Sequence, residues 1–218
     1  MEYTFHTYNK LASDGMSMAL DKLLKDDLSD KLTPKRFSSS TRLSTQNKRF
    51  QQLFDGNFEK MPVIVCIGSD LAVGDSLGPI VGSMLKYKTQ GLHVYVYGTL
   101  ALPVTAKEIK YMRSFLKETH AGEQIIAVDA AVGAEGDIGL MRVSPSPLFP
   151  GAGAKKKLGC IGDISILGIV AEKSVANFSL LNSTRLNLVY GMAEQISDAL
   201  ASVLWQRQKK GVFQRKNS

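Results

Sequence analysis

Asp70, Asp75 and Asp129 are the residues of this sequence whose type and surroundings suit acid–base chemistry. The first two lie five residues apart in the loop Cys66-Ile67-Gly68-Ser69-Asp70-Leu71-Ala72-Val73-Gly74-Asp75-Ser76-Leu77-Gly78-Pro79. The third closes the run Gln124-Ile125-Ile126-Ala127-Val128-Asp129. Two carboxylates that share a site do not both ionise easily, so one pKa rises and the pair can serve as base and acid. The same pair can hold a divalent metal. Plainer roles stand beside these. Asp75 with Ser76 can cap the next helix, Asp129 can anchor a neighbouring loop, and Asp70 can stabilise its own turn.

The elements around these residues predict where they meet. Met61-Pro62-Val63-Ile64-Val65 reads as a buried strand and Ile80 to Tyr87 as a helix, so the loop between them is a strand-to-helix turn. Such turns at the C-terminal ends of parallel strands are where open α/β sheets bind ligands. His93 to Tyr97 is rich in β-branched and aromatic residues. Thr105-Ala106-Lys107-Glu108 has capping-box spacing before a helix with Ile109, Met112, Phe115 and Leu116 on one face. Strands are expected at 124–129, at 139–143 and from Ile164 to Val170, with a Pro- and Gly-rich loop over 144–163. A long helix is expected from a cap at Asn182 or Ser183 to Trp205, with Leu186, Val189, Tyr190, Ala193, Ile196, Leu200 and Leu204 inward. Strands alternating with helices predict a mostly parallel sheet covered on both faces. If Asp75 and Asp129 both sit at strand C-termini, they share one edge of that sheet.

Upstream of residue 61 the pattern is weaker. Met16 to Leu32 has helical spacing and stops before Pro34; a polar linker covers 36–48, and Phe50-Leu53-Phe54 ends at the turn signal Asp55-Gly56-Asn57. Residues 1–60 are therefore expected to be an arm that packs on the domain, mediates oligomerisation or is removed as a pro-segment, 61–205 the domain, and 206–218 a basic tail. The net charge of +7 lies mostly in that tail: residues 61–204 carry 12 basic and 12 acidic side chains, whereas 205–218 carry five basic and none acidic. A solvated terminus accounts for this better than specific nucleic-acid binding. No apolar run approaches the roughly 20 residues of a membrane span, and no secretory signal opens the chain. The two cysteines, Cys66 and Cys160, form no disulfide framework and suit a reduced, cytoplasmic interior.

Other chemistry finds little support. Gly151-Ala152-Gly153-Ala154-Lys155-Lys156-Lys157 has the composition of an anion cradle, but not the spacing of a P-loop. No Gly-x-Gly-x-x-Gly follows the first strand, and no Gly-x-Ser-x-Gly elbow occurs. The histidines His6, His93 and His120 are dispersed, without metal-ligand spacing.

The loop residues Cys66-Ile67-Gly68-Ser69-Asp70 and Gly74-Asp75-Ser76-Leu77-Gly78-Pro79 resemble the signature of the YyaC sporulation proteins. So, in order, do Val128-Asp129-Ala130-Ala131-Val132-Gly133, Pro150-Gly151-Ala152-Gly153, Gly162-Asp163 and Asn182-Ser183-Thr184-Arg185-Leu186. The resemblance runs over about 61–204. That family is similar to the spore germination proteases and, more distantly, to the hydrogenase maturation endopeptidases. This implies a three-layer α/β/α sandwich of the hydrogenase-maturation-protease kind. In the germination proteases, aspartates in Asp-x-Leu-Gly-Pro and Ile-Asp-Ala segments are essential; Asp75 and Asp129 match them. In the maturation enzymes the matching positions carry acidic nickel ligands. The relatives also carry a histidine, in the germination proteases just before Pro-Gly-Ser-Gly, where this chain has Phe149, so a third metal ligand is missing at that place.

The implied activity is an aspartate-dependent endopeptidase that acts on protein or peptide substrates, spore proteins among them, in the forespore or spore interior. Asp75 and Asp129 would be catalytic, and Gly68, Ser69, Asp70, Gly74, Ser76, Gly151 and Gly153 would support them. Backbone N–H groups of Gly68, Gly74 or the Gly151–Gly153 loop are the candidate oxyanion donors. Any metal would sit on Asp75 and Asp129. The alternative is a protein that keeps the fold without the activity and has a binding or regulatory role in sporulation. No membrane partner is expected; a homo-oligomer is compatible with both readings.

Overall fold

The structure, a computed structural model, describes residues 1–31, 61–151, 158–173 and 184–216. The expected linker at 36–48, the Phe50-Leu53-Phe54 patch, Gly153, Lys155 to Lys157 and the cap at Asn182 or Ser183 lie outside the described residues.

Six strands form one sheet. They are β1 (Tyr3–His6), β2 (Val63–Cys66), β3 (Val96–Tyr97), β4 (Ile125–Gly133), β5 (Leu140–Ser144) and β6 (Ile164–Glu172), in the order β1-β5-β6-β4-β2-β3. β6, β4, β2 and β3 are parallel neighbours; β5 runs antiparallel to both β6 and β1. β1 therefore points the same way as the four parallel strands. All four residues of β2 are buried, as its unbroken apolar sequence requires of a strand covered on both faces.

Four helices and two 3-10 turns complete the described chain. α1 (Ala12–Lys31), α2 (Leu77–Lys88) and α4 (Leu186–Lys216) pack on one face, where Met16, Leu20, Ile64, Leu77, Leu85, Val128, Ile166 and Met192 form the larger core. α3 (Ile109–Thr119) covers the other face over Val63, Val65, Ile67 and Ala127. Leu148 and Ile161, from the loop expected over 144–163, complete that second layer and pair with each other as an isolated bridge. The architecture is a three-layer α/β/α sandwich. Thr105 and Glu108 pair, with the Thr105 N–H donating to the Glu108 carboxylate at 3.0 Å and the Thr105 hydroxyl accepting from the Lys107 N–H, but they close the turn before α3, which starts at Ile109 without a side-chain cap.

Several expectations are corrected. Of the roles open to the N-terminal arm, packing on the domain is the one that its first 24 residues take, so the boundary near 60 does not separate them from the core. β1 pairs with β5, and Met16, Leu20 and Leu24 are fully buried in the main core. A four-residue strand gives little periodic signal, and its partner is some 140 positions away. Residues 206–216 are likewise not a frayed tail: α4 runs on to Lys216 and buries Arg207, because Val203, Leu204 and Arg207 extend the inward stripe at helical spacing. On the same helix Leu186 and Tyr190 are exposed, not inward. Tyr190 sits about 100° around the helix from the buried Val189.

If residues 12–24 belong to the core, truncating one of their buried side chains has a core-sized cost. Leu20→Ala is expected to lower the unfolding free energy by about 2–5 kcal/mol in a urea titration. A loss under about 0.5 kcal/mol, typical of a surface position, would return this helix to the status of an arm.

Candidate active site

β2 ends at Cys66, and the loop beyond it is held by backbone packed on backbone. Gly68 has φ of +139°, and a Cβ there would overlap the Asp75 carbonyl oxygen. Gly78, in the first turn of α2, lies so close to the Ile67 carbonyl that no side chain fits. Between them, Val73–Ser76 forms a 3-10 turn (η1) that leads directly into α2. The Ser69 N–H donates to the Asp75 carbonyl at 3.0 Å, which closes the loop on itself. Asp75 is thereby fixed, half-buried, at the C-terminal edge of the sheet.

Asp129 comes to the same edge from β4. Ile126 and Val128 face the larger core and Ala127 the smaller one, so the two-residue period puts Asp129 on the side of the smaller core. It is buried, and its Oδ1 accepts a 2.8 Å hydrogen bond from the Ala130 N–H. The sequence suggests that β4 ends at Asp129, but the strand continues to Gly133, because its pairing with β6 persists beyond a register shift at Ala131/Val132.

The 3-10 turn touches β4, and the two carboxylates interact. Desolvation pushes the Asp75 carboxyl up to about 6, against a smaller downward pull from the Ser69 N–H. Asp129 is held well above the ordinary range, first by burial, next by the charge of Asp75, with the Ala130 N–H opposing both. Both carboxyls therefore favour their protonated forms more than free aspartates do.

The capping role open to Asp75 and Ser76 is not what the structure shows. Neither side chain caps α2; the Ser76 hydroxyl donates instead to the Val73 carbonyl at 2.6 Å. Asp70 is exposed, and the turn beside it is closed by Ser69, whose hydroxyl accepts from the Leu71 N–H at 3.2 Å. Gly68 cannot offer its N–H to an oxyanion, since that group donates to the Val104 carbonyl at 3.0 Å. Gly74 is buried within the 3-10 turn, and Gly151 is described with φ of +71°. Gly162-Asp163 proves architectural: Asp163 exchanges hydrogen bonds with Ile125 through its N–H and its carboxylate, which ties the starts of β6 and β4 together.

A metal fits poorly. Among the described residues, no group of three or more His, Cys, Asp or Glu side chains is placed to hold an ion. Phe149, where the relatives have histidine, is 65% exposed and offers no donor. The described donor set thus does not fit a resident nickel-type site. Cys66 is fully buried, and burial raises its thiol far above reactivity. His120 is buried between the Tyr97 hydroxyl and Glu123, each at 2.7 Å, as a structural link among α3, β3 and the start of β4. No sequence spacing pointed to that cluster.

Residues 38–199 match the family described as "Protein of unknown function (DUF1256)", and the chain belongs to that family. It is 37% identical over 175 residues to the "Uncharacterized protein YyaC" of Bacillus subtilis (strain 168), covering 77% of this chain and 85% of the relative. The YyaC resemblance in the sequence is thus shown, and the family match begins at residue 38, upstream of the expected start at 61. Among solved structures, a [NiFe] hydrogenase maturation protease HycI from Thermococcus kodakarensis KOD1 is similar at 19% identity. That similarity covers 72% of this chain and 99% of the other, with a TM-score of 0.44. No helix among the described residues is long and apolar enough to cross a membrane.

The raised carboxyls set the sign of a pH effect on stability. In the folded protein Asp75 keeps a proton that the unfolded chain releases near pH 4, so stability falls as pH rises from about 4 through 6. Asp129, also raised, contributes a fall of the same sign. Asp75→Asn and Asp129→Asn lack this ionisation, so their melting temperatures are expected to gain on wild type between pH 4 and pH 8. A constant difference across that range would mean that the carboxyls ionise normally. The close approach gives a second test. Gly68→Ala should cost more than about 2 kcal/mol from strain and overlap, whereas Gly136→Ala, with open space around it, should be tolerated.

Proposed function

We propose that this protein is an aspartate-dependent endopeptidase of sporulation, acting on spore proteins in the forespore or spore interior. One observation carries the reading: Asp75 and Asp129, from separate elements, interact at the C-terminal edge of the sheet with both pKa values raised. The match of Asp75-Ser76-Leu77-Gly78-Pro79 and Val128-Asp129-Ala130 to the germination-protease segments supports the choice of reaction.

The roles follow from the ordering of the two groups. Asp75, the less buried of the two, is ionised above about pH 6 and serves as general base. It takes a proton from a water molecule whose oxygen attacks the scissile carbonyl carbon. Asp129 retains its proton longest and gives it to the amine nitrogen as the C–N bond breaks. The products are a carboxylic acid and an amine, and one proton passes from Asp75 back to Asp129 to restore the starting state. Burial and the charge of Asp75 both favour the protonated form of Asp129. Because the Ala130 N–H occupies Oδ1, Oδ2 is left for the transferable proton.

A second reading has its own observation. Phe149 replaces the histidine of the relatives with an exposed aromatic ring, which suits a protein that binds rather than cuts.

Spore protein extracts incubated with wild type, Asp75→Asn and Asp129→Asn distinguish the two. The endopeptidase predicts discrete cleavage by wild type and a loss of roughly 10²–10⁴-fold in each variant. Its rate should rise as pH passes about 6 and decline where Asp129 ionises. Equal cleavage by all three proteins would remove both residues from the mechanism, and no cleavage by wild type would favour the binding reading.

A further inference from the structure

The loops beside the carboxylate pair hold large apolar side chains out in solvent. Leu71, in the loop after β2, is 90% exposed; Leu100 and Leu102, in the loop after β3, are 45% and 75% exposed. Both loops leave the same edge of the sheet as Asp75 and Asp129, because β2, β3 and β4 are parallel. They are also tied together. The Gly68 N–H donates to the Val104 carbonyl, Ile67 and Val104 form an isolated parallel bridge, and Gly98 packs on the Cys66 carbonyl so closely that a Cβ would overlap it.

The exposure is built in. Thr99 and Leu102 exchange backbone hydrogen bonds of 3.0 and 3.2 Å, and the Leu100 N–H donates to the Ser83 hydroxyl at 2.9 Å. Ser83 is fixed in turn by donating to the Pro79 carbonyl, in the first turn of α2. The turn cannot rotate its leucines inward without breaking these bonds. From Gly98 to Val104 there is no charged side chain, so nothing in that segment favours a charged partner.

We infer that Leu71, Leu100 and Leu102 form an apolar recognition rim that seats a peptide segment carrying leucine-, isoleucine- or phenylalanine-type side chains across the Asp75–Asp129 site. This deepens the endopeptidase reading and rests on it for turnover, but not for binding. A rim of rigid, exposed aliphatic groups gains by burial against aliphatic or aromatic side chains, and it leaves the polar groups of a charged segment without partners. A preformed surface also loses little entropy on binding. Selectivity from such contacts is of modest size, about tenfold or more for each well-buried aliphatic group.

The test uses the full-length protein and two pools of quenched fluorescent decapeptides. The central positions are drawn from Leu, Ile, Val and Phe in one pool, and from Ser, Gln, Asp and Lys in the other. Cleavage and, separately, fluorescence-anisotropy binding are measured for wild type and for Leu100→Ser/Leu102→Ser. Met18→Ser, an exposed apolar position on α1, is the control. Wild type and the control should favour the apolar pool by about tenfold or more. The rim variant should lose most of that preference through KM, with an unchanged melting temperature. Equal handling of both pools by wild type, or an undiminished preference in the rim variant, would overturn the inference. If no peptide is cut but apolar peptides still bind through the rim, the inference holds and the endopeptidase reading falls. If neither pool is bound or cut, the rim inference falls.

Discussion

At the C-terminal end of β2, three stretches of backbone meet at distances that a single methyl group would prevent. Gly68 lies on the Asp75 carbonyl, Gly78 on the Ile67 carbonyl, and Gly98 on the Cys66 carbonyl. These contacts draw the 3-10 turn, the first turn of α2 and the exit of β3 onto one point of the sheet. Everything proposed for the molecule depends on that point. It sets Asp75 against β4, it fixes the 98–104 loop beside it, and it consumes the Gly68 N–H in holding the loop to Val104. The glycines are needed because backbone must touch backbone here.

The electrostatic consequence is a pair of carboxyl groups in surroundings that disfavour charge. Among the described residues, no arginine or lysine shifts either group toward its ionised form; the opposing influences are single backbone N–H groups, from Ser69 on Asp75 and from Ala130 on Asp129. Burial outweighs them in both cases. Asp129 lies deeper and also feels Asp75, so burial and the neighbouring charge both favour its protonated form. The arrangement gives two chemically identical groups different surroundings.

Much of this site was legible in the sequence, and for physical reasons. The apolar run before Gly68 and the helical pattern after Pro79 mark a strand-to-helix turn, and parallel strands bring such turns to one edge. Asp75 and Asp129 could therefore be expected on one edge, although spacing along the chain could not show that their side chains converge. Features that were not legible depend on partners remote in sequence. β1 is four residues long and acquires meaning only through β5. The Gly68 N–H looked free for an oxyanion until Val104 took it. Nor could the sequence tell that Ser69, and not Asp70, closes the turn, since both side chains suit it. The end of α4 was misplaced because a run of basic residues reads as a solvated tail, although Arg207 continues the buried stripe.

The central claim is that the Asp75 and Asp129 carboxyls are coupled and both held above ordinary aspartate values. Titration of the aspartate carboxyl carbons by NMR, in wild type and in Asp75→Asn, tests it most directly. Asp75 is predicted to titrate near 6, and Asp129 is likewise predicted above the ordinary aspartate range. In Asp75→Asn the second should move downward as the neighbouring charge is removed, while burial keeps it above ordinary aspartate values. If both carboxyls titrate near 4 in wild type, or if Asp129 is unmoved by the substitution, the two groups are not coupled and the claim is contradicted.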